Sequence, residues 1–360
     1  MDLPVMPPVK PMLAKAVHAL PDGDDGAFVF EPKWDGFRCI VFRDGDEVEL
    51  GSRNQKPFTR YFPEMPEPLQ ANLPDRCVVD GELVVPGAEG LDFDLLGQRI
   101  HPAESRVAML AEKTPAHFVA FDLLALGDLD LRDEPFGERR RLLTEIGADF
   151  ASPVMLTPST TDRAVAQEWF DRFSGAGFDG VMAKAVDGRY VEDKRVQLKA
   201  KQERTADCVV AGYRVHKSGD GVGSILLGAY DDAGDLHHLG VASSFKTADR
   251  PPLLAQLSQL AVTDLSEHPW GGWADQTAET ADGRMPGAPN RWNSAKDMSW
   301  VPIEPVLVAE VRYEHATGGR FRGVARLHRW RPDRDPRSCH VDQLDHGVPD
   351  EIVALFGSSA

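Results

Sequence analysis

Short apolar runs recur along the chain, and their spacing divides it into two textures. From Phe28 to Lys201, runs rich in β-branched and aromatic residues fall at Phe28–Phe30, Cys39–Phe42, Val78–Val85, His117–Leu124, Val181–Lys184 and Val196–Ala200, and predict strands. Phe136–Ile146 and Arg163–Phe173, lying between them, carry apolar residues at helical spacing. A second strand series starts after Asp207: Cys208–Val215, Ser224–Tyr230, Leu236–Val241, Val306–Tyr313 and Val324–Trp330. So many strands in so modest a span predict a small antiparallel barrel. Within it, Pro251–Leu260 reads as a helix from its leucine spacing. Trp270–Trp300, rich in Gly, Pro and Ala, reads as a long irregular loop. The joint falls at Gln202-Glu203-Arg204-Thr205, giving expected domains of 1–203 and 204–360, the second including the C-terminal tail. No internal repeat is visible.

Composition bounds the class. A chain of 360 residues with 42% hydrophobic content can bury two proper cores. No apolar run approaches membrane-spanning length, so no membrane partner is expected. Met1–Leu13 is broken by prolines and lacks a signal-peptide core, which makes a cytoplasmic location the expectation. The four cysteines, Cys39, Cys77, Cys208 and Cys339, form no C-x-x-C pair, which argues against structural zinc and fits a reducing compartment. A net charge of −17 counts against nucleic acid only if the basic residues are dispersed. Here Arg320, Arg322, Arg326, Arg329, Arg331, Arg334 and Arg337 crowd one stretch, readable as a phosphate-facing patch or as a solvated charged face.

Candidate chemistry centres on Lys33-Trp34-Asp35-Gly36-Phe37-Arg38. A lysine near its ordinary pKa of ~10 is protonated at neutral pH, and burial or neighbouring cations make it a nucleophile. Asp35 can orient an amine or a metal, Gly36 lets a phosphate approach the backbone, and Arg38 offers a planar fork for oxygens. In the strand Val78–Val85, Asp80 and Glu82 stand two residues apart and share a face, poorly suited to a passive core. Lys199 and Lys201 repeat that spacing with positive charge, a natural pair for phosphate. Phe121 reads either as core or as a ring for a base to stack on. Asp179 and Lys184 end opposite faces of one predicted strand. Gly51-Ser52-Arg53-Asn54 reads either as a phosphate grip or as a surface turn.

The K-x-D-G-x-R pattern resembles the signature of covalent nucleotidyltransferases, which include DNA ligases, RNA ligases and mRNA capping enzymes. Taken in order, these elements resemble the motif series of the ATP-dependent DNA ligases over nearly the whole chain. The likeness is nearest to the small bacterial repair type, ligase C and the ligase part of ligase D, carried further by Trp300-Val301-Pro302 through Glu310-Val311. The resemblance implies an α+β, two-domain fold: an adenylation domain of ATP-grasp-like antiparallel sheets with helices, then an OB-fold barrel. With Lys33 so near the N-terminus, no helical DNA-binding domain is expected before it.

By the same resemblance Lys33 carries AMP, with Asp35, Arg38, Lys199, Lys201 and Arg331 as further catalytic residues. Glu31, Arg38, Arg53, Glu82, Phe121, Lys184, Lys199, Lys201 and Arg331 would contact ATP. Asp35, Asp80 and Asp179 would hold Mg2+ (or Mn2+). Ser52, Arg53, Arg291 and Lys296 would contact nicked double-stranded DNA. Asp179 stands where the family usually has Glu, and Arg334 where its last motif often has Lys. The implied reaction moves AMP from ATP to Lys33, then to a 5′-phosphate, whereupon a 3′-hydroxyl displaces it. The two chemistries imply a hinge near Gln202–Thr205. A monomer working beside a repair polymerase, a primase or end-binding proteins is expected, near the nucleoid. RNA ligase, capping guanylyltransferase and a silent DNA-end-binding scaffold are the competing readings.

Overall fold

The computed structural model describes residues 1–23, 26–87, 90–172, 178–201, 204–271 and 299–344, with the backbone alone at Asp179, Glu267 and Thr317. The chain divides at Gln202–Glu203 into two compact units, Met1–Gln202 and Glu203–His346. The hinge expected at Gln202–Thr205 begins on two residues, 202 and 203, outside the described set.

Two sheets build the first unit. The smaller orders its strands Leu13–Val17, Arg195–Ala200, Phe178–Ala185 and Phe28–Trp34. The larger runs Val154–Leu156, His117–Leu126, Arg76–Val84, Phe37–Asp44 and Glu47–Ser52, with Leu129–Asp130 paired beside His117–Leu126. Most pairings in both sheets are antiparallel, as expected, with two parallel exceptions. Leu13–Val17 pairs parallel with Arg195–Ala200, and Val154–Leu156 parallel with His117–Leu126. Both are short strands that arrive from far along the chain, so no tight turn dictates their direction.

The larger sheet is covered on both faces, which is why its strands read as continuous apolar runs. Cys39 and Val41 face one cluster with Phe62, Met65, Leu69 and Phe118. Ile40 and Phe42 face another, closed by Leu3, Val5, Val9 and Met12 of the proline-broken N-terminus. Phe37–Asp44 and Glu47–Ser52 are joined by the two-residue turn Gly45-Asp46, with Gly45 at φ +62°, a backbone glycine tolerates.

In the smaller sheet the two-residue period separates core from chemistry. Phe30, Val181, Ala183, Leu198 and Ala200 pack against Ala166, Trp169 and Phe170 of the helix Arg163–Arg172. The alternate residues face the other way. Gly180, at φ +124° in a bulge between Phe178 and Val181, keeps this register; a Cβ there would lie 2.0 Å from the Ala200 carbonyl oxygen. The helix Phe136–Ile146 forms as its spacing predicts, burying Phe136 and Leu143. Three helices escaped the pattern: Pro66–Asn72, Phe93–Gln98 and Glu104–Lys113. The first two are under two turns, and the third buries only Val107 and Leu110.

The second unit holds a closed five-stranded barrel ordered Arg204–Val215, Val222–Tyr230, Leu236–Ser243, Ala325–Trp330 and Val301–Tyr313. That is the strand count and closure of an OB-fold. Ala206, Cys208 and Val210 point inward at every second position, meeting Ile225, Leu227, Leu239, Ala309 and Val311. Helix Arg250–Ser258 packs on this core through Leu253 and Leu257. Val301–Tyr313 begins five residues before the sequence suggests, because Pro302 and Pro305 interrupt an apolar run that nevertheless pairs. Trp270 and Trp300, the ends of the expected loop, are structural. Trp270 is fully buried, donates from Nε1 to the Leu236 carbonyl at 2.7 Å and packs edge-on to Trp300. Residues 272–298, with Arg291 and Lys296, lie outside the described residues.

Candidate active site

The polar face of the smaller sheet is one wall of a cavity of about 550 Å3, a size suited to a nucleotide. Glu31 and Lys33 reach it from one strand, Met182 and Lys184 from the next, Gln197 and Lys199 from the third, and Lys201 from the residue just past its end. Arg38, Glu82 and Phe121 line it from the larger sheet, and Arg53 from the turn after Glu47–Ser52. Eight cations (Lys15, Lys33, Arg38, Arg53, Lys184, Arg195, Lys199 and Lys201) face it against two acids, Glu31 and Glu82. The acidic chain thus folds around a cationic cavity, the arrangement a polyphosphate requires.

Two ion networks fix the walls. Glu31, 2% exposed, pairs with Lys184 at 2.7 Å and with Arg140 at 3.1 Å. Lys184 also donates to the Phe121 carbonyl at 2.8 Å, and its Nζ lies 4.7 Å from the Phe121 ring centre. Arg140 donates to the Thr157 carbonyl, while the Thr157 hydroxyl accepts from Trp34 Nε1 at 2.8 Å. These partners compensate the buried charges, with Arg140 Nε left without a hydrogen bond among the described residues. In the second network Arg38 donates from Nε and Nη2 to both oxygens of the fully buried Asp80. Its guanidinium sits 4.6 Å over the Phe121 ring. Burial works against the Arg38 charge, but Asp80 outweighs it and keeps the guanidinium firmly protonated. Phe121 is accordingly both things its sequence left open: nine-tenths buried, and a wall of the cavity.

Asp80, expected at a metal, has both oxygens hydrogen-bonded to Arg38, and one of them also accepts from Tyr190. Ser52 is buried, and its hydroxyl oxygen accepts from the Lys56 amide at 2.9 Å, closing the turn. Its neighbour Arg53 is exposed and on the cavity. Gly36 is required by packing, since a Cβ would lie 2.2 Å from the Leu83 carbonyl oxygen. Asp35 does not line the cavity, though its charge reaches Glu82. The Asp179 side chain lies outside the described residues. Arg331 stands in the second unit, paired to Asp207 at 3.1 Å and Asp333 at 2.8 Å.

The surroundings of Glu82 disturb its ionisation. Burial pushes its carboxyl up to about 7, against the opposing pull of Arg38 and Lys33, with Asp80 and Asp35 adding to the rise. The donor set for a metal is thin: among the described residues no three His, Cys, Asp or Glu cluster together. Mg2+ usually keeps several waters and uses one or two carboxylates plus substrate phosphates. The described residues fit an ion that would be carried in by a triphosphate, which Glu82 would help to hold, more than a site built by protein alone.

Sequence reasoning missed Tyr190, Arg139 and Arg140, whose roles depend on partners far along the chain. Arg139 forms a fully buried pair with Asp122 at 2.7 Å. It also missed Lys15, which reaches the cavity through a long-range parallel pairing, and Arg195 and Gln197. The last two were within reach: the period that places Lys199 and Lys201 runs back through both.

A nucleotide-sized cationic cavity with a lysine on its wall, followed by a five-stranded barrel, defines a two-domain nucleotidyltransferase. Residues 11–201 match the family model described as ATP dependent DNA ligase domain, and residues 218–334 the ATP dependent DNA ligase C terminal region. The chain belongs to the ATP-dependent DNA ligases: it is an enzyme that uses ATP and acts on DNA. It is 56% identical to DNA ligase C2 of Mycolicibacterium smegmatis over 346 residues, covering 96% of each chain. It is likewise 56% identical to DNA ligase C of Mycobacterium tuberculosis over 352 residues, again 96% of each. The solved structure titled "DNA binding with a minimal scaffold: Structure-function analysis of Lig E DNA ligases" shares the fold. Its TM-score is 0.52 at 16% identity, over 89% of this chain and 99% of that one. Family membership sets aside the RNA ligase, capping and silent-scaffold readings.

Proposed function

We propose that the chain seals 3′-hydroxyl/5′-phosphate nicks through an AMP carried on Lys33. The observation that supports this most is Lys33 on the same sheet face as Lys199 and Lys201, in a cavity walled by Phe121, Arg38 and Arg53. The lysine Nζ attacks the α-phosphorus of ATP, forming a P–N bond as the bond to pyrophosphate breaks, and loses its proton to solvent. Lys199, Lys201 and Arg38 hold charge that builds on the phosphate oxygens, which is where such sites gain most. AMP then passes to the 5′-phosphate of a nick held by Arg53, restoring the lysine amine. The adjoining 3′-hydroxyl displaces AMP and closes the strand. Mg2+ bound with the triphosphate supplies charge neutralisation on its oxygens.

DNA repair in the cytoplasm, beside a repair polymerase, a primase or end-binding proteins, is the setting this activity fits. Incubation with α-labelled ATP, then with a nicked duplex, tests the reading. Wild-type protein should take label and release it on sealing. Lys33→Ala should take none, yet still slowly seal a nick whose 5′ end already carries AMP. Label persisting on Lys33→Ala would remove Lys33 from the role.

A further inference from the structure

Gln197 is a side chain with nothing yet to do. It is 4% exposed, lines the cavity, and its amide Nε2 has no hydrogen-bond partner among the described residues. A buried amide donor left unmet is costly, so proteins seldom keep one without a use. The strand gives its position. Gln197 shares its face with Lys199 and Lys201, about 7 Å before Lys199 at the ~3.3 Å rise of a strand. It is aligned with Ala14 of Leu13–Val17, a residue with no polar side chain to offer.

Ala183 pairs with Leu198, so one step further on Lys184 and Gln197 are cross-strand neighbours. Lys184 is the residue whose ammonium lies against Phe121. Gln197 therefore stands at the aromatic end of the cavity, with the two lysines running away from it along the strand direction.

We infer that Gln197 donates a hydrogen bond from its amide to a ring nitrogen of the purine of ATP, and so helps select the base. This rests on the reading that the cavity takes ATP for attack by Lys33. The purine is the part of ATP that an aromatic ring accommodates, and its ring nitrogens are uncharged acceptors suited to a neutral donor. A phosphate would find the neighbouring lysines better partners. Replacing the amide with the similarly sized thioether of methionine deletes the donor without opening a hole.

The test measures lysyl-AMP formation with ATP and with its 1-deaza, 3-deaza and 7-deaza analogues, in wild type and Gln197→Met. In wild type, the analogue lacking the accepting nitrogen should raise KM about three- to tenfold, the range of one hydrogen bond. In Gln197→Met the KM for ATP should rise by a similar factor, and that same analogue should cost nothing further. If no analogue is penalised in wild type the inference fails, whatever the variant does. It fails equally if every penalty survives unchanged in a folded Gln197→Met, or if that variant keeps the wild-type KM for ATP. Wild-type protein that takes no label on Lys33 from any of the four nucleotides would instead overturn the lysyl-AMP reading.

Discussion

Tyr190 donates from its phenol to Asp80 Oδ2 at 2.6 Å, and the same oxygen accepts from the guanidinium of Arg38. Burial and the Asp80 charge hold the phenol well above its ordinary pKa, so it stays a donor. Its oxygen also accepts from the Met12 amide at 3.1 Å. One hydroxyl thus joins the N-terminal wall of the cavity to the carboxylate that aims Arg38. Because Asp80 is wholly buried, the orientation of Arg38 is set inside the protein and does not wait for a ligand.

Removing the charge of Asp80 should therefore cost far more than removing the phenol. Asp80→Asn leaves Arg38 without its counter-charge, and breaking such a pair typically costs about 3–5 kcal/mol. Tyr190→Phe loses hydrogen bonds worth about 1 kcal/mol each. Urea unfolding of the two variants gives the ranking, and near-equal losses would show that Arg38 does not depend on the ion pair.

Glu82 should make nucleotide-free stability pH-dependent. Its folded pKa is raised from 4.5 to about 7, so the stability tied to it is complete below about 4.5 and is lost as pH rises through about 7. Glu82→Gln cannot ionise. Between pH 5 and pH 8 the wild type should lose stability relative to Glu82→Gln, measured by thermal unfolding across a buffer series. Parallel curves would place the carboxyl in water.

Arg331→Ala is expected to slow lysyl-AMP formation more than the sealing of a pre-adenylated nick, because only the first step expels pyrophosphate. Asp207, 12% exposed, pairs with both Arg331 and Arg334, so Asp207→Asn should also alter this step. Equal slowing of both steps in Arg331→Ala would assign the arginine stretch to DNA binding.

Binding to nicked DNA should weaken steeply with salt, since phosphate contacts release counterions. Each neutralised phosphate adds about 0.9 to the slope of log affinity against log salt. Arg53, exposed on the cavity rim, is expected to account for one of them. Arg53→Ala should lower that slope by about 0.9, measured by fluorescence anisotropy on a nicked duplex. An unchanged slope would leave Arg53 out of the DNA contacts.

Much of this was legible in the chain because strands write their faces at every second residue. Lys199 and Lys201 came out on one wall, and Phe136–Ile146 formed as its spacing predicts. The barrel strands were found because each carries a compact apolar run, as in Cys208–Ala211 and Ile225–Leu227, whose alternate residues pack on the barrel core and on a second cluster outside it. The larger sheet showed its strands but not their faces, since burial on both sides erases the alternation.

What the sequence determined alone was the inventory: a lysine, its flanking charges, their spacing and the two-domain order. Local geometry suffices for that, because period and propensity act over a few residues. The tertiary structure decided which charges are spent and which are offered. Asp80 and Glu82 look alike in the strand, yet Asp80 meets Arg38 and Tyr190 while Glu82 faces the cavity. Tyr190 lies 110 positions from Asp80, and Glu31 lies 109 from Arg140. No local pattern encodes such pairings. They arise when separate strands are packed and each buried charge must find its partner or be excluded.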